Sequence, residues 1–168
     1  MNITAPSESK AVLSAANPSS LMSIYWPRWE KIEELEWKIE QDIPIPDGIS
    51  HTRLPFKHWL KLCHDFYKNS YGVDIVAVYK KQYIASTDIT VYPKSESHKG
   101  WTGGLGVLKE FRRKGIATAL KIKAIEVLLK RGVTEVRTDN EENNPMYKIN
   151  VALGFKPVPF SLDYLKEI

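Results

Sequence analysis

The segment Gly106-Val107-Leu108-Lys109-Glu110-Phe111-Arg112-Arg113-Lys114-Gly115-Ile116-Ala117-Thr118 joins small residues, a cationic cluster and the start of an apolar periodicity. This pattern predicts a strand that ends, a short turn, and a helix that starts near Gly115. The first turn of a helix leaves its N–H groups without intrahelical partners. Those amides and the helix dipole attract an anion. Gly115 has no Cβ, so a ligand can approach the backbone closely; Ala117 is nearly as small. Arg112, Arg113 and Lys114 add positive charge at the mouth, and their position beside Gly115 favours phosphate contact over a merely solvated loop. A pyrophosphate is the natural guest. Two familiar phosphate loops are excluded. Gly104-Leu105-Gly106 lacks the third glycine of the dinucleotide fingerprint, and Lys114-Gly115 reverses the Gly-Lys order of the nucleotide P-loop.

The rest of the chain supplies elements to position this segment. Residues 1–22, rich in Ser, Ala, Asn and Pro, read as a flexible leader. Residues 23–42 read as a helical linker or arm, with Ile32, Leu35 and Ile39 at helical spacing over 28–41. The prolines of Ile43-Pro44-Ile45-Pro46 end it. A domain then occupies 43–168. Pro55 suits a first helical position, and Phe56, Trp59, Leu60, Cys63, Phe66 and Tyr67 form one buried face of a helix over about 55–69. Val73–Tyr79 and Tyr83–Val91, joined by a short polar link, predict a hairpin. A polar loop over 92–100 leads to a strand from Trp101 to Leu108. Ile116, Ala119, Leu120, Ala124, Val127 and Leu128 share a helix face over 115–131, and Gly132 stands at the C-terminal cap position. A strand at 133–138, a short helix opened by Pro145 and a last edge strand at 155–160 complete the order. The expected fold class is α/β in the mixed α+β sense, as a single domain without repeats.

Bulk properties narrow the function. A chain of 168 residues with net charge +4 fits one domain and an anionic small molecule. No nucleic-acid reader motif accompanies the charge, so no nucleic-acid partner is expected. The single cysteine, Cys63, excludes an internal disulfide and a zinc spacing, so no metal is expected. Its aromatic neighbours suggest a small buried hydrophobe rather than a nucleophile. No apolar run approaches the roughly 18 residues of a membrane span, and no signal-peptide pattern opens the chain. A cytoplasmic protein without a membrane partner is the default expectation.

Arg112-x-x-Gly115-x-Ala117, after a strand ending at Val107, resembles the coenzyme A signature of the GNAT acetyltransferase superfamily. Asn143, Met146, Asn150 and Leu153-Gly154-Phe155 resemble the family's closing motif, at a fitting distance from the first. The wording of Thr102-Gly103, Ala119-Leu120-Lys121, Thr138-x-Asn140 and Ile149-Asn150 is similar to a bacterial branch with tandem-domain and mycothiol-synthase-like members. The resemblance is strongest over 100–156 and weakest before 42. It implies a central, mostly antiparallel sheet that splits at the cofactor cleft, flanked by helices. It also implies acetyl coenzyme A as co-substrate. The pantetheine arm would lie on the backbone of Gly106, Val107 and Leu108. The pyrophosphate would sit on amides between Arg113 and Thr118, including those of Lys114, Gly115, Ile116 and Ala117.

In the family the acetyl group passes directly from thioester to amine. A base takes a proton from the ammonium, an acid meets the thiolate, and a backbone N–H near Val107 can stabilise the carbonyl oxygen. The usual acid is a Tyr at the position held here by Asn150. An amide can donate a hydrogen bond but gives up no proton at useful pH. Asn150 therefore reads either as a cofactor or sulfur contact or as a buried structural amide. Tyr147, one turn earlier, reads as a substitute acid or as ordinary packing. Asn143 either lines the cofactor or caps the following helix. Asp88 and His98 are candidate bases with a solvated reading beside them, and a water chain is the third option. Trp101 borders the expected cleft. The reading is an N-acetyltransferase of a small-molecule amine, monomeric or homodimeric. Its rivals are a non-catalytic acyl coenzyme A sensor or half-domain and a nucleic-acid module built on Arg112–Lys114.

Overall fold

A computed structural model describes residues 26–43, 50–140 and 144–158. The leader at 1–22, Asn143 and the end of the expected last strand lie outside the described residues. Contacts group the chain into one unit up to Thr138 and a second from Asp139 onward.

The first unit is built on the period-two alternation of its strands. Strand β1 (Tyr71–Tyr79) buries Val73, Ile75 and Ala77 on one face and turns Asp74, Val76 and Val78 to the other. Strand β2 (Gln82–Val91) returns antiparallel through Lys80 and Lys81, whose φ angles of 46° and 68° are both positive. Two left-handed residues in succession are what a two-residue hairpin of the native twist requires, and lysine adopts them at some cost. A bulge between Ala77 and Val78 shifts the register by one, so that Asp74 stands directly opposite Asp88. Strand β3 (Lys99–Val107) pairs antiparallel with β2 and carries its own irregularity opposite Thr87 and Ile89. Strand β4 (Glu135–Arg137) joins parallel to β3, completing the order β1-β2-β3-β4.

Helices cover both faces. Helix α1 (Trp26–Glu40) packs against β2 and β3, and helix α2 (Phe56–Tyr67) packs against α1. The Trp29 and Trp59 rings meet edge to face, with centroids 5.8 Å apart. Glu33, buried on α1, takes both donors of the Arg53 fork at 2.8 and 2.6 Å. Helix α3 (Ile116–Lys130) is the crossover that a parallel β3–β4 pair needs. It buries Leu120, Ala124 and Leu128 against Val73, Ile75, Ile89 and Val91. Gly100 keeps this face close, since a Cβ there would meet Ile89 Cγ2 at 2.9 Å and Leu128 Cδ1 at 3.1 Å. Leu128→Ala is expected to lower stability by about 2–5 kcal/mol, read as a lower urea midpoint at unchanged slope.

The second unit holds helix α4 (Pro145–Ala152), with Pro145 at its start. Its N-cap is Asn144, whose Oδ1 accepts from Met146 N at 2.9 Å. The capping alternative considered for Asn143 therefore belongs to its neighbour. Residues 155–158 form no strand, contrary to expectation. Pro157 has no N–H to offer a ladder.

Candidate active site

The sheet opens along β3. Beside β4 it is paired only from Lys99 to Trp101, while beside β2 it is paired as far as Val107. Leu108 N donates to Ile84 O at 2.9 Å. Antiparallel bonding alternates, so the N–H and C=O of Val107 face away from β2, on the side where β4 has ended. This is a split sheet with an unpaired strand edge. The Val107 carbonyl accepts from Arg112 Nε at 2.8 Å.

Beyond β3 a single 3-10 turn (Lys109–Phe111) leads to Arg113, with φ 61°, and to Gly115, with φ 74°. Gly115 is the N-cap of α3 and no side chain caps the helix. The first backbone bond into the helix runs from Ala119 N to Gly115 O, 3.0 Å. The amides of Ile116, Ala117 and Thr118 precede it and have no intrahelical acceptor. A Cβ on Gly115 would meet nothing within 4 Å, so the turn opens on free space. The cationic cluster divides. Arg112 Nη2 reaches Asp42 Oδ2 at 2.5 Å, and Lys109 Nζ reaches Asp42 Oδ1 at 2.6 Å. Both cations hold the Asp42 carboxyl below its usual range, Lys109 foremost. Lys114 rests on Glu110 O at 3.1 Å and over the Phe111 ring. Arg113 is exposed.

On the other face of the sheet a cavity of about 620 Å³ lies between α1, α2 and the strands, reaching Gly104, Leu105 and Gly106 on β3. Its floor carries Asp74 and Asp88, each half-buried. Asp88 Oδ1 accepts from Gly104 N at 2.6 Å. A Cβ on Gly103 would come within 2.0 Å of Asp88 Oδ2, so glycine here gives Asp88 its seat on β3. Burial, followed by the charge of Asp74, pushes the Asp88 carboxyl up to about 6, against the Gly104 N–H that favours its ionised form. Asp74 takes the Tyr67 hydroxyl at 2.9 and 3.0 Å, and burial raises its carboxyl too. Tyr67 is raised by burial and by Asp74. Glu36 lines the cavity at its mouth; the residue is exposed, while its carboxyl lies against the cavity wall and meets the Trp59 indole. The surrounding walls, then Asp88 and Asp74, push it up to about 7. Cys63 lines the cavity half-buried, with its thiol pushed up to about 12 by burial and by Glu36, which leaves it without nucleophilic character.

Of the two expected bases, Asp88 is in the cavity. His98 is exposed at the opposite end of β3, where its carbonyl anchors Thr134 and Glu135. Trp101 does not line the cavity; its indole donates to Glu96 at 2.9 Å. In the second unit Asn150 is 4% exposed and donates from Nδ2 to Asn140 Oδ1 at 2.5 Å. Tyr147 is half-buried on the same helix. Asp74, Glu36, Tyr67 and Asp42 had escaped sequence reasoning. Asp74 had left one trace, as the sole charge in the apolar run Val73–Tyr79.

The split sheet and the uncapped helix behind it are the marks of an acyl-carrier-binding acetyltransferase fold. The model of the acetyltransferase (GNAT) family matches residues 20–153, and the chain belongs to that family of acyltransferases. Among solved structures, the aminoglycoside 6'-N-acetyltransferase AAC(6')-IG of Acinetobacter haemolyticus is similar at 22% identity and TM-score 0.60, over 93% of this chain and 98% of that one. The aminoglycoside N-acetyltransferase AAC(6')-Iy in complex with CoA is similar at 18% identity and TM-score 0.66, over 98% and 100%. An acetyltransferase of Trypanosoma brucei is similar at 16% identity and TM-score 0.61, over 92% and 98%. At these identities the likeness is one of fold. No curated protein sequence matches. Among the described residues no helix is long and apolar enough to cross a membrane, and no group of three or more His, Cys, Asp or Glu could hold a metal ion.

Proposed function

We propose that the chain transfers an acetyl group from acetyl-CoA to a primary amine of a small molecule. The observation that carries this reading is the juxtaposition on β3. One face of the strand borders a carboxylate-floored cavity, and its free edge runs toward the open turn at Gly115. The amides of Lys114 to Thr118, with Arg113 and Lys114, would hold the pyrophosphate. The free edge at Val107 would hold the pantetheine arm through its N–H, beside Arg112, which holds the Val107 carbonyl on the same edge. Bound acetyl-CoA would supply an activated thioester carbonyl beside the Val107 N–H.

Asp88 is the base in this reading. It would take one proton from the acceptor ammonium, leaving a neutral amine. The nitrogen bonds to the acetyl carbon, the carbon–sulfur bond breaks, and the second amine proton neutralises the thiolate. One proton then leaves Asp88 for solvent. Asn150, tied to Asn140, would be a structural amide in this scheme, and Tyr147→Phe tests whether any acid beyond the amine itself takes part. The test of the function is release of free thiol from acetyl-CoA, followed against a panel of primary amines. Turnover with at least one amine is expected. Tight binding of CoA with no release across the panel would favour a non-catalytic sensor instead.

A further inference from the structure

The cavity floor is built against its own stability. Asp74 and Asp88 face each other directly across the β1–β2 ladder, on the same side of the sheet. Residues so opposed have Cβ atoms about 4.5–5.5 Å apart, and like charges there repel. Glu36 adds a third carboxylate at the mouth, and Glu40 a fourth on the rim. Two cations also line the wall, and both are peripheral: Lys81 is exposed at the hairpin tip, and Lys31 lies over the Tyr83 ring. Among the described residues, neither of these cations forms an ion pair with Asp74 or Asp88. The floor's donors are the Tyr67 hydroxyl, shared by both oxygens of Asp74, and two backbone amides on Asp88, those of Gly104 and of Asp88 itself; none of them carries a charge.

Resting on the acetyl-transfer reading of this site, we propose that its acceptor is a di- or polycationic amine: one amino group meets Asp88 for transfer, while Asp74, with Glu36 at the mouth, holds a second that remains charged. The second ammonium is not consumed, so its contribution is binding and orientation, present before and during transfer.

The test compares hexane-1,6-diamine with hexylamine, which match in length and differ by one charge. Calorimetric titration of the free protein at pH 8 is expected to give at least 10-fold tighter binding of the diamine. With acetyl-CoA present, kcat/KM is expected to favour the diamine by a similar or larger ratio. Asp74→Asn keeps an acceptor for Tyr67 and removes the charge, and both ratios are expected to fall below about 3. Equal binding and equal turnover of the two amines would overturn the proposal while leaving acetyl transfer intact. Preferential diamine binding without thiol release would support the cationic pocket and defeat the transferase reading. A preference that survived unchanged in Asp74→Asn would overturn the assignment to this floor.

Discussion

Gly115→Glu is expected to raise the Kd for CoA at least 100-fold in calorimetry, close to loss of binding. Two effects act together. Gly115 has φ 74°, in the left-handed region where any side chain adds strain of about 1–2 kcal/mol. The larger effect is electrostatic. The new carboxylate would stand in the free space over the opening turn of α3, where the diphosphate must lie. The turn would then hold an anion of its own, and the incoming phosphates would meet repulsion instead of unpaired amides. Gly115→Asn separates these effects, since Asn tolerates the left-handed region and carries no charge; less than a 10-fold loss is expected. A CoA affinity unchanged by glutamate would remove the pyrophosphate site from the account.

Asp88→Asn is expected to lower kcat/KM by about 10²–10⁴, the usual contribution of a positioned base. The parent profile is expected to rise with pH through the range near 6, where Asp88 ionises. Glu36 on α1, at about 7, and Asp74 on β1 face the same space, so the midpoint belongs to the coupled group. Tyr67 from α2, the Gly104 N–H from β3 and the rim charges Lys31, Glu40 and Lys81 complete the surroundings. Stability runs the other way. A carboxyl raised in the folded state binds its proton more tightly there than in the unfolded chain. Stability therefore falls as pH climbs from about 4 to 6 or 7 and then levels off. Removing the charge is expected to make Asp88→Asn more stable than the parent at pH 8, by on the order of 1–3 kcal/mol. A loss of activity joined to a gain in melting temperature cannot be ascribed to misfolding. Full activity in this variant would leave deprotonation to solvent.

Much of this was legible in the sequence, and the part that was not has a definite physical origin. Helix α3 announced itself through the spacing of Leu120, Ala124 and Leu128 and through the glycines at 115 and 132. The open turn followed from Gly115 with no capping side chain. The acidic floor was hidden because its geometry depends on a bulge. Counting back evenly from the Lys80–Lys81 turn would set Asp74 against Thr87, with Asp88 on the opposite face. One extra residue in β2, Ile84, opposite the step from Ala77 to Val78, brings the two aspartates together. Glycine at 103 makes room for Asp88, whose Oδ2 a Cβ there would meet at 2.0 Å, a contact that only the folded strand pair reveals. Arg112 read as a phosphate ligand, and it is bonded to Val107 O and Asp42, partners that only the folded chain supplies.

The most direct test of the central claim is a crystal structure of the protein with CoA. The account predicts the diphosphate oxygens within hydrogen-bonding distance of the amides between Lys114 and Thr118, with the pantetheine arm along the free edge of β3 at Val107. CoA seated elsewhere, with that opening turn left to solvent, would contradict it.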